Sequence, residues 1–126
     1  MRLRDYAMTR VVARRYLEYR PAQGRSGKVI VEIGKPAPDP ASKYGDWYCP
    51  HRITGLGETR VFPVFGVDPV QALILCLAHL SAEITRWGRK DGALRWLGGR
   101  QLGLEVHHIL RLQAARNRRQ LKRRGC

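Results

Sequence analysis

Residues 68–87, DPVQALILCLAHLSAEITRW, decide the predicted fold, because they combine a helix start signal with a long apolar pattern. Asp68 can accept a hydrogen bond at the N-cap, Pro69 suits the first helical position, and Gln71 stands three residues after the cap. The pattern predicts a helix that begins at Asp68 and ends near residues 87–88. Apolar residues at three- and four-residue spacing predict a face that can cover a sheet. They are Leu73, Leu77, Leu80, Ile84 and Trp87, widened by Val70, Ile74 and Ala78.

Two segments near the N-terminus predict a β-hairpin. Residues 11–19, VVARRYLEY, are rich in β-branched and aromatic residues and roughly alternate, and residues 21–27 have turn composition. Residues 28–33, KVIVEI, alternate strictly enough to assign a direction to each side chain. Val29, Val31 and Ile33 are expected to point inward, and Lys28 and Glu32 outward.

Residues 47–53 and 60–67 predict a third and a fourth strand after a proline-rich loop. Pro50 and Pro63 must lie at edge positions or bulges, because a proline cannot donate to the hydrogen-bond ladder. The predicted fold class is therefore α+β, with a four-stranded antiparallel sheet (a meander) covered by one long helix.

The chain after this helix divides into two parts. Residues 93–97, ALRWL, leave a short strand and a helical turn as open alternatives. Residues 104–124 contain neither proline nor glycine and predict a basic C-terminal helix. We therefore expect an α+β core domain over residues 1–104 and a basic helical extension over residues 105–126.

Two motifs carry a resemblance to a known family. Residues 45–57, GDWYCPHRITGLG, and residues 65–73, FGVDPVQAL, resemble a group of small bacterial proteins classed as a domain of unknown function. The resemblance covers about residues 30–104, and the basic segment after Leu104 lies outside it. The group has no assigned activity, so the resemblance implies no catalytic residue.

The charge of the chain points to an anionic partner. In 126 residues, 24 Lys+Arg against 10 Asp+Glu give a formal net charge of +14. Such an excess attracts nucleic acid or an acidic protein surface, although a charge that serves only solubility stays open as an alternative. The longest apolar stretch, residues 70–80, is too short to cross a bilayer. With no secretory signal before Arg10, we expect a cytoplasmic protein without a membrane partner.

Basic residues at the two ends of the chain are the predicted contact residues. Arginine pairs bidentately with phosphate, and cations that neutralise phosphates release condensed counterions. The aromatic side chains of Tyr16 and Trp96 stand beside arginines and are able to stack on bases, although core packing is the commoner role. The predicted binding residues are Arg111, Arg116, Arg118, Arg119, Lys122, Arg123 and Arg124, with Arg14 and Arg15 in the first strand.

Metal-binding and catalytic patterns are weak in this sequence. Cys49, His51, His107 and His108 lack the paired spacing of structural zinc sites, so we predict neither a metal nor a cofactor. Cys49 beside His51 or Asp46 offers a thiol and a base without an oxyanion hole or a cleft, so we predict no enzyme. The three cysteines are odd in number and do not predict a disulfide framework.

These features favour a non-enzymatic protein that contacts RNA or DNA through a basic face. The alternative is a small inhibitor or antitoxin-like protein, of the type that phages or mobile elements encode, that binds another protein. Exposed sheet edges are compatible with a homodimer, and the sequence leaves the oligomeric state open.

Overall fold

Six strands form one antiparallel sheet in the computed structural model, which describes residues 2–104 and, beyond them, Arg119, Lys122 and Arg123. The elements are a 3-10 turn Leu3–Asp5, β1 (Val11–Tyr19), β2 (Gly27–Gly34), β3 (Ala37–Pro38), β4 (Trp47–Thr54), β5 (Phe62–Gly66), α1 (Pro69–Asp91) and β6 (Leu94–Arg95). The spatial order is β6-β1-β2-β4-β5, and β3 pairs with β4 beyond the end of β2. The α+β class is confirmed.

The predicted number of four strands is wrong. The four predicted segments are all strands and neighbour one another, but β3 and β6 add two residues each. A strand of two residues is too short to show an alternating pattern in the sequence. Only the pairing of β3 with β4 and of β6 with β1 identifies them as strands. The alternatives left open for residues 93–97 resolve to a strand at residues 94–95.

The two strand prolines face each other across β4 and β5. Pro63 lies in the edge strand β5, as expected for a residue without a backbone donor. Pro50 lies in an interior strand, at the gap between the pairing of β4 with β3 and its pairing with β2. Pro50, which has no backbone N–H to donate, therefore lies where β4 pairs with neither β3 nor β2.

Helix α1 starts as predicted and ends later than predicted. The Asp68 carboxylate accepts a hydrogen bond from the Gln71 backbone N–H at 2.7 Å. The helix continues through Gly88 to Asp91 and ends where Gly92 adopts a left-handed φ of 63°. Gly92 provides this stop because glycine adopts positive φ without steric cost.

The face of α1 that covers the sheet is only partly the predicted one. The core joins Cys76, Leu80 and Ile84 of the helix to Val29 and Val31 of β2, and the inward direction of those two valines and of Ile33 is confirmed. Several residues that were expected to widen or form the buried face are instead exposed, because the helix is apolar on more than one side. They are Val70, Ile74 and Leu77.

The opposite face of the sheet is covered at one end by the N-terminal segment. Tyr6 is fully buried and makes edge contacts with Tyr48 and Phe65, at ring-centroid distances of 5.1 and 5.4 Å. The Tyr48 hydroxyl donates to the carbonyl oxygen of Ala7 at 2.9 Å. The rest of this face carries Arg14 of β1 and Arg52 of β4, on either side of Glu32 of β2.

The predicted basic C-terminal helix and the extension over residues 105–126 lie largely outside the described residues. Arg119, Lys122 and Arg123 are described, with helical backbone. Within the part of the chain that is described, no helix is long and apolar enough to cross a membrane.

Candidate functional site

Three arginines line a groove of about 590 Å³ at the C-terminal end of α1. Arg89 comes from the last turn of α1, Arg95 from β6, and Arg100 from the segment after β6. The polar residues Thr85 and Gln101 complete its hydrogen-bonding surface. None of the described lining residues is a carboxylate. We call this site the basic groove, and its chemistry is that of an anion-binding surface.

A tight turn sets the positions of two of these arginines. Trp96 and Gly99 exchange two backbone hydrogen bonds of 2.9 Å, and the two residues between them, Leu97 and Gly98, have φ of 52° and 82°. Two successive positive φ values are typical of a type I′ turn, which reverses the chain over two residues. Arg95 and Arg100 flank this turn and thus return to the same groove.

Arg15, a predicted contact residue, supports one wall of the basic groove. Its Nη1 donates to the carbonyl oxygens of Leu102 and Gly103 at 2.8 and 3.0 Å, and its guanidinium stacks 3.9 Å from the centroid of a Trp96 ring. A Cβ atom at Gly103 would lie 2.3 Å from Trp96, so only glycine fits there. These contacts hold the 102–103 segment against β1, and one face of Trp96 is already covered by Arg15.

Arg14, the other predicted contact residue in β1, is part of a charge ladder across three strands. Both oxygens of Glu32 are occupied, one by Nε and Nη2 of Arg14 and the other by Nε and Nη2 of Arg52. Glu32 was expected to point to solvent and is only 6% exposed. Hydrogen bonds from Arg14 and Arg52 lower the pKa of Glu32. The ladder carries one net positive charge, and its guanidinium groups already have a carboxylate partner.

The remaining glutamates of residues 2–104 are also paired with arginines. Hydrogen bonds from Arg60 lower the pKa of Glu58 to about 2. Glu18 pairs with Arg20, and Glu83 with Arg86. The basic groove differs from these places because three arginines converge there without a described carboxylate among them.

The C-terminal contact residues are only partly described. Arg119, Lys122 and Arg123 are exposed. Arg111, Arg116, Arg118 and Arg124 lie outside the described residues, and so do His107 and His108. Their predicted role stays a prediction.

A second cavity, of about 340 Å³, lies between β4, β5 and the second half of α1. His51 and His79 line it from the sheet and from the helix, with ring centroids 4.8 Å apart. Both histidines are buried. Burial, and to a smaller extent the neighbouring His79, lower the pKa of His51 well below its ordinary value. We call this site the histidine cavity.

The two described cysteines, Cys49 and Cys76, line neither cavity. Cys49 is fully buried, and its thiol donates to the Gly34 carbonyl oxygen at 3.6 Å. A hydrogen bond with Cys49, together with burial, raises the pKa of Cys76 well above its ordinary value. Among the described residues, no group of three or more His, Cys, Asp or Glu side chains could hold a metal ion.

Sequence reasoning missed the basic groove. Arg89, Arg95 and Arg100 are spaced without a period, and their convergence depends on the helix stop at Gly92 and on the turn at residues 96–99. The available signal was the composition of residues 86–100, RWGRKDGALRWLGGR, which combines four arginines and one lysine with turn-forming glycines and a single acidic residue.

Within the described residues, the fold and the two cavities define a small α+β domain, with one antiparallel sheet under a single long helix and a basic groove at the end of that helix. The chain belongs to the family described as domain of unknown function (DUF6968), whose model matches residues 13–106. The expected membership in a family without an assigned activity is thereby confirmed. No curated protein and no solved structure matches the chain.

Proposed function

We propose that this protein binds the phosphate backbone of RNA or DNA through the basic groove, together with the cations of its C-terminal segment. The observation that carries the proposal is the convergence of Arg89, Arg95 and Arg100 on one groove without a described carboxylate. Leu104 lines the same groove, and the sequence beyond it contains only one acidic residue, Glu105. Positive charge therefore continues from the groove into the C-terminal segment.

The pairing of charges elsewhere strengthens this assignment. Five ion pairs engage arginines of the domain with its glutamates. An arginine that already donates two hydrogen bonds to a carboxylate must give up part of that pairing to bind phosphate through the same groups, which reduces the net gain. Among the predicted contact residues of β1, Arg14 is held in this way by Glu32. The groove arginines are thus better placed than Arg14 to contact an anion.

The groove arginines retain hydrogen-bonding capacity for phosphate. A guanidinium has five N–H donors in a planar fork. The described contacts of Arg95 use Nη1, which donates to the carbonyl oxygens of Gly92 and Leu94. The Nε and Nη2 groups of Arg95 then remain for a ligand. Recognition of this type is electrostatic and independent of base sequence.

The test is fluorescence anisotropy of labelled RNA and DNA oligonucleotides at several salt concentrations, using the full chain. Contacts with about five to seven phosphates give a slope of roughly −4 to −6 in the plot of log K against log salt for duplex DNA. Replacing Arg89, Arg95 and Arg100 by Gln removes about three contacts, so the slope should become shallower by about 2 to 3.

A control variant that loses the same number of charges shows whether binding depends on the groove arginines or on the net charge of the protein. Arg25, Lys35 and Lys43 are exposed, do not line the groove, and can also be replaced by Gln. The control should keep the wild-type slope within about one unit, because its residues contact no phosphate. Equal losses in the two triple variants would contradict the groove assignment, and absent or salt-independent binding would contradict the function.

A second function, binding of another protein, is supported by an exposed apolar stripe that begins at Val67 and continues along α1. Val67 and Val70 are 67% and 65% exposed, and Ile74 and Leu77 follow on the same side of the helix at 41% and 36%. Contiguous apolar surface of this kind typically marks an interaction site. We propose the stripe as the contact surface for a protein partner, in line with the inhibitor or antitoxin-like alternative.

Two single variants distinguish the two functions. Ile74→Glu places a charge in the stripe and should abolish recovery of a protein partner from nuclease-treated lysate, while nucleic-acid binding stays unchanged. Tyr44→Glu is the matched control, since Tyr44 is a large exposed residue that lies outside both the stripe and the basic groove. A partner that is retained equally by both variants would exclude the stripe as its contact surface.

A further inference from the structure

The histidine cavity combines an apolar wall with one buried polar side chain that has unused hydrogen-bonding capacity. His51 is 3% exposed and lies on the β4 side of the cavity. Its Nδ1 has no hydrogen-bond partner among the described residues. A buried polar atom without a partner costs free energy comparable to a lost hydrogen bond, so a ligand that supplies a partner is favoured.

The walls of the cavity select the shape and polarity of such a ligand. Ile53, Leu56, Phe62 and Trp87 provide aliphatic and aromatic surface. A volume of about 340 Å³ is near the lower end of the range for small-molecule sites. Aromatic walls favour an aromatic ligand through offset or edge-to-face contacts. The cavity therefore fits one or two rings better than a long polar chain.

The charges around the cavity disfavour an anionic or cationic ligand at its base. The rim cations Arg60 and Arg86 are paired with Glu58 and Glu83 at 2.9 Å each. The base consists of His51 and His79, and burial holds the pKa of His51 low, so its imidazole is uncharged at neutral pH. A ligand charge buried beside it would lose its hydration without gaining a counter-charge. Lys122 adds a third cation, but it is exposed at the rim and does not supply a counter-charge at the buried base.

We propose that the histidine cavity binds a small uncharged aromatic molecule that carries a hydroxyl group. The ring packs against the apolar walls, and the hydroxyl forms a hydrogen bond with the imidazole of His51. A neutral imidazole has one donor and one acceptor nitrogen, and a hydroxyl can match either of them. This site is separate from the basic groove and does not depend on the nucleic-acid proposal.

The experiment compares phenol and toluene as probes of the full chain. In a purely apolar cavity toluene binds more tightly, because the phenol hydroxyl loses water without a replacement. We expect phenol to bind at least as tightly as toluene, and we expect phenol alone to shift the NMR signals of the His51 ring nitrogens. In His51→Phe the order should reverse. If that variant does not fold, the ring-nitrogen shifts of the wild type decide the question.

A pair of tryptophan variants provides the control. Leu56→Trp fills the cavity from its wall and should weaken phenol binding by at least about tenfold, as expected when the bound ring loses its space. Ile74→Trp adds the same bulk on the exposed side of α1 and should bind phenol like the wild type. Equal affinities of the two variants would overturn the assignment of the site.

Three further outcomes would also overturn the proposal. Toluene binding more tightly than phenol to the wild type would mean that His51 does not supply the hydrogen bond. Benzoate binding more tightly than phenol would assign the cavity to an anion, held by the rim cations. Zn²⁺ at micromolar concentration shifting the ring signals of both His51 and His79 would assign it to a metal ion.

Discussion

The buried state of His51 predicts a specific dependence of stability on pH. Burial and the nearby His79 lower the folded-state pKa of His51 well below the value of about 6.5 expected in the unfolded chain. The unfolded chain therefore binds more protons than the folded protein below pH 6.5, and the free energy of unfolding falls as the pH is lowered. The contribution of His51 is fully present above about pH 7 and is lost progressively below pH 6.5.

The magnitude follows from proton linkage. One group that is protonated only in the unfolded state changes the free energy of unfolding by about 1.4 kcal/mol per pH unit. Between pH 8 and pH 5, an imidazole that stays neutral in the folded protein reaches a limit of about 2 kcal/mol. The lowered pKa values of Glu32 and Glu58 affect stability mainly below about pH 5, at the acidic edge of this range.

The assay is urea denaturation of the wild type and of His51→Phe at intervals between pH 5 and pH 8. The difference between the two free energies of unfolding reports His51 together with its interaction with His79, because the acidic groups are present in both proteins. We expect His51→Phe to lose less stability on acidification than the wild type. Parallel pH profiles would refute the reasoning, since they would mean that His51 has the same pKa in the folded and unfolded states.

Three further substitutions test the packing, the charge ladder and the turn by urea denaturation. Gly66→Ala should lower the free energy of unfolding by about 2–3 kcal/mol, because the new Cβ would lie 2.4 Å from the backbone nitrogen of Ala72. Gly27→Ala is the control and should stay within about 0.5 kcal/mol of the wild type, because the space around its Cβ is open. Similar losses in both variants would contradict this account. Glu32→Gln should lower the urea midpoint at pH 7, and this loss should shrink as the pH falls below about 4.5, because the unfolded chain then binds a proton that Glu32 in the folded protein binds only at lower pH. A loss that does not change with pH would show that charge is not the cause. Leu97→Asn should raise stability by about 0.5–1 kcal/mol, because asparagine tolerates the positive φ at that position better; no gain would mean that the turn is not strained.

Local chemistry allowed much of the fold to be predicted. The start of α1 depends on Asp68, Pro69 and Gln71, which are neighbours in the chain, and it was predicted correctly. Strand β1 was predicted with its observed ends, and the alternation of residues 28–33 assigned Val29, Val31 and Ile33 to the core side. These features depend on contacts within a few residues or on a strict period of two.

Position in the sheet determined what the local pattern left ambiguous. Glu32 alternates like a solvent-facing residue, but the register brings arginines from both neighbouring strands onto its two oxygens. Val70 and Ile74 follow the helical period but lie on the side of α1 that faces solvent. In a helix that is apolar on several sides, only the docking of its partner selects the buried face.

The amino-acid sequence by itself determined the class of the fold, the ends of β1, those of β2 and β4 to within one residue, the start of the helix and the large excess of positive charge. Only the tertiary structure decided which of the described arginines converge without a carboxylate among them and which histidines contact each other. Arg89, Arg95 and Arg100 converge through a helix stop and a two-residue turn, and His51 and His79 meet although 28 positions separate them in the chain. Both sites depend on contacts between distant segments, and a local pattern carries no record of such contacts.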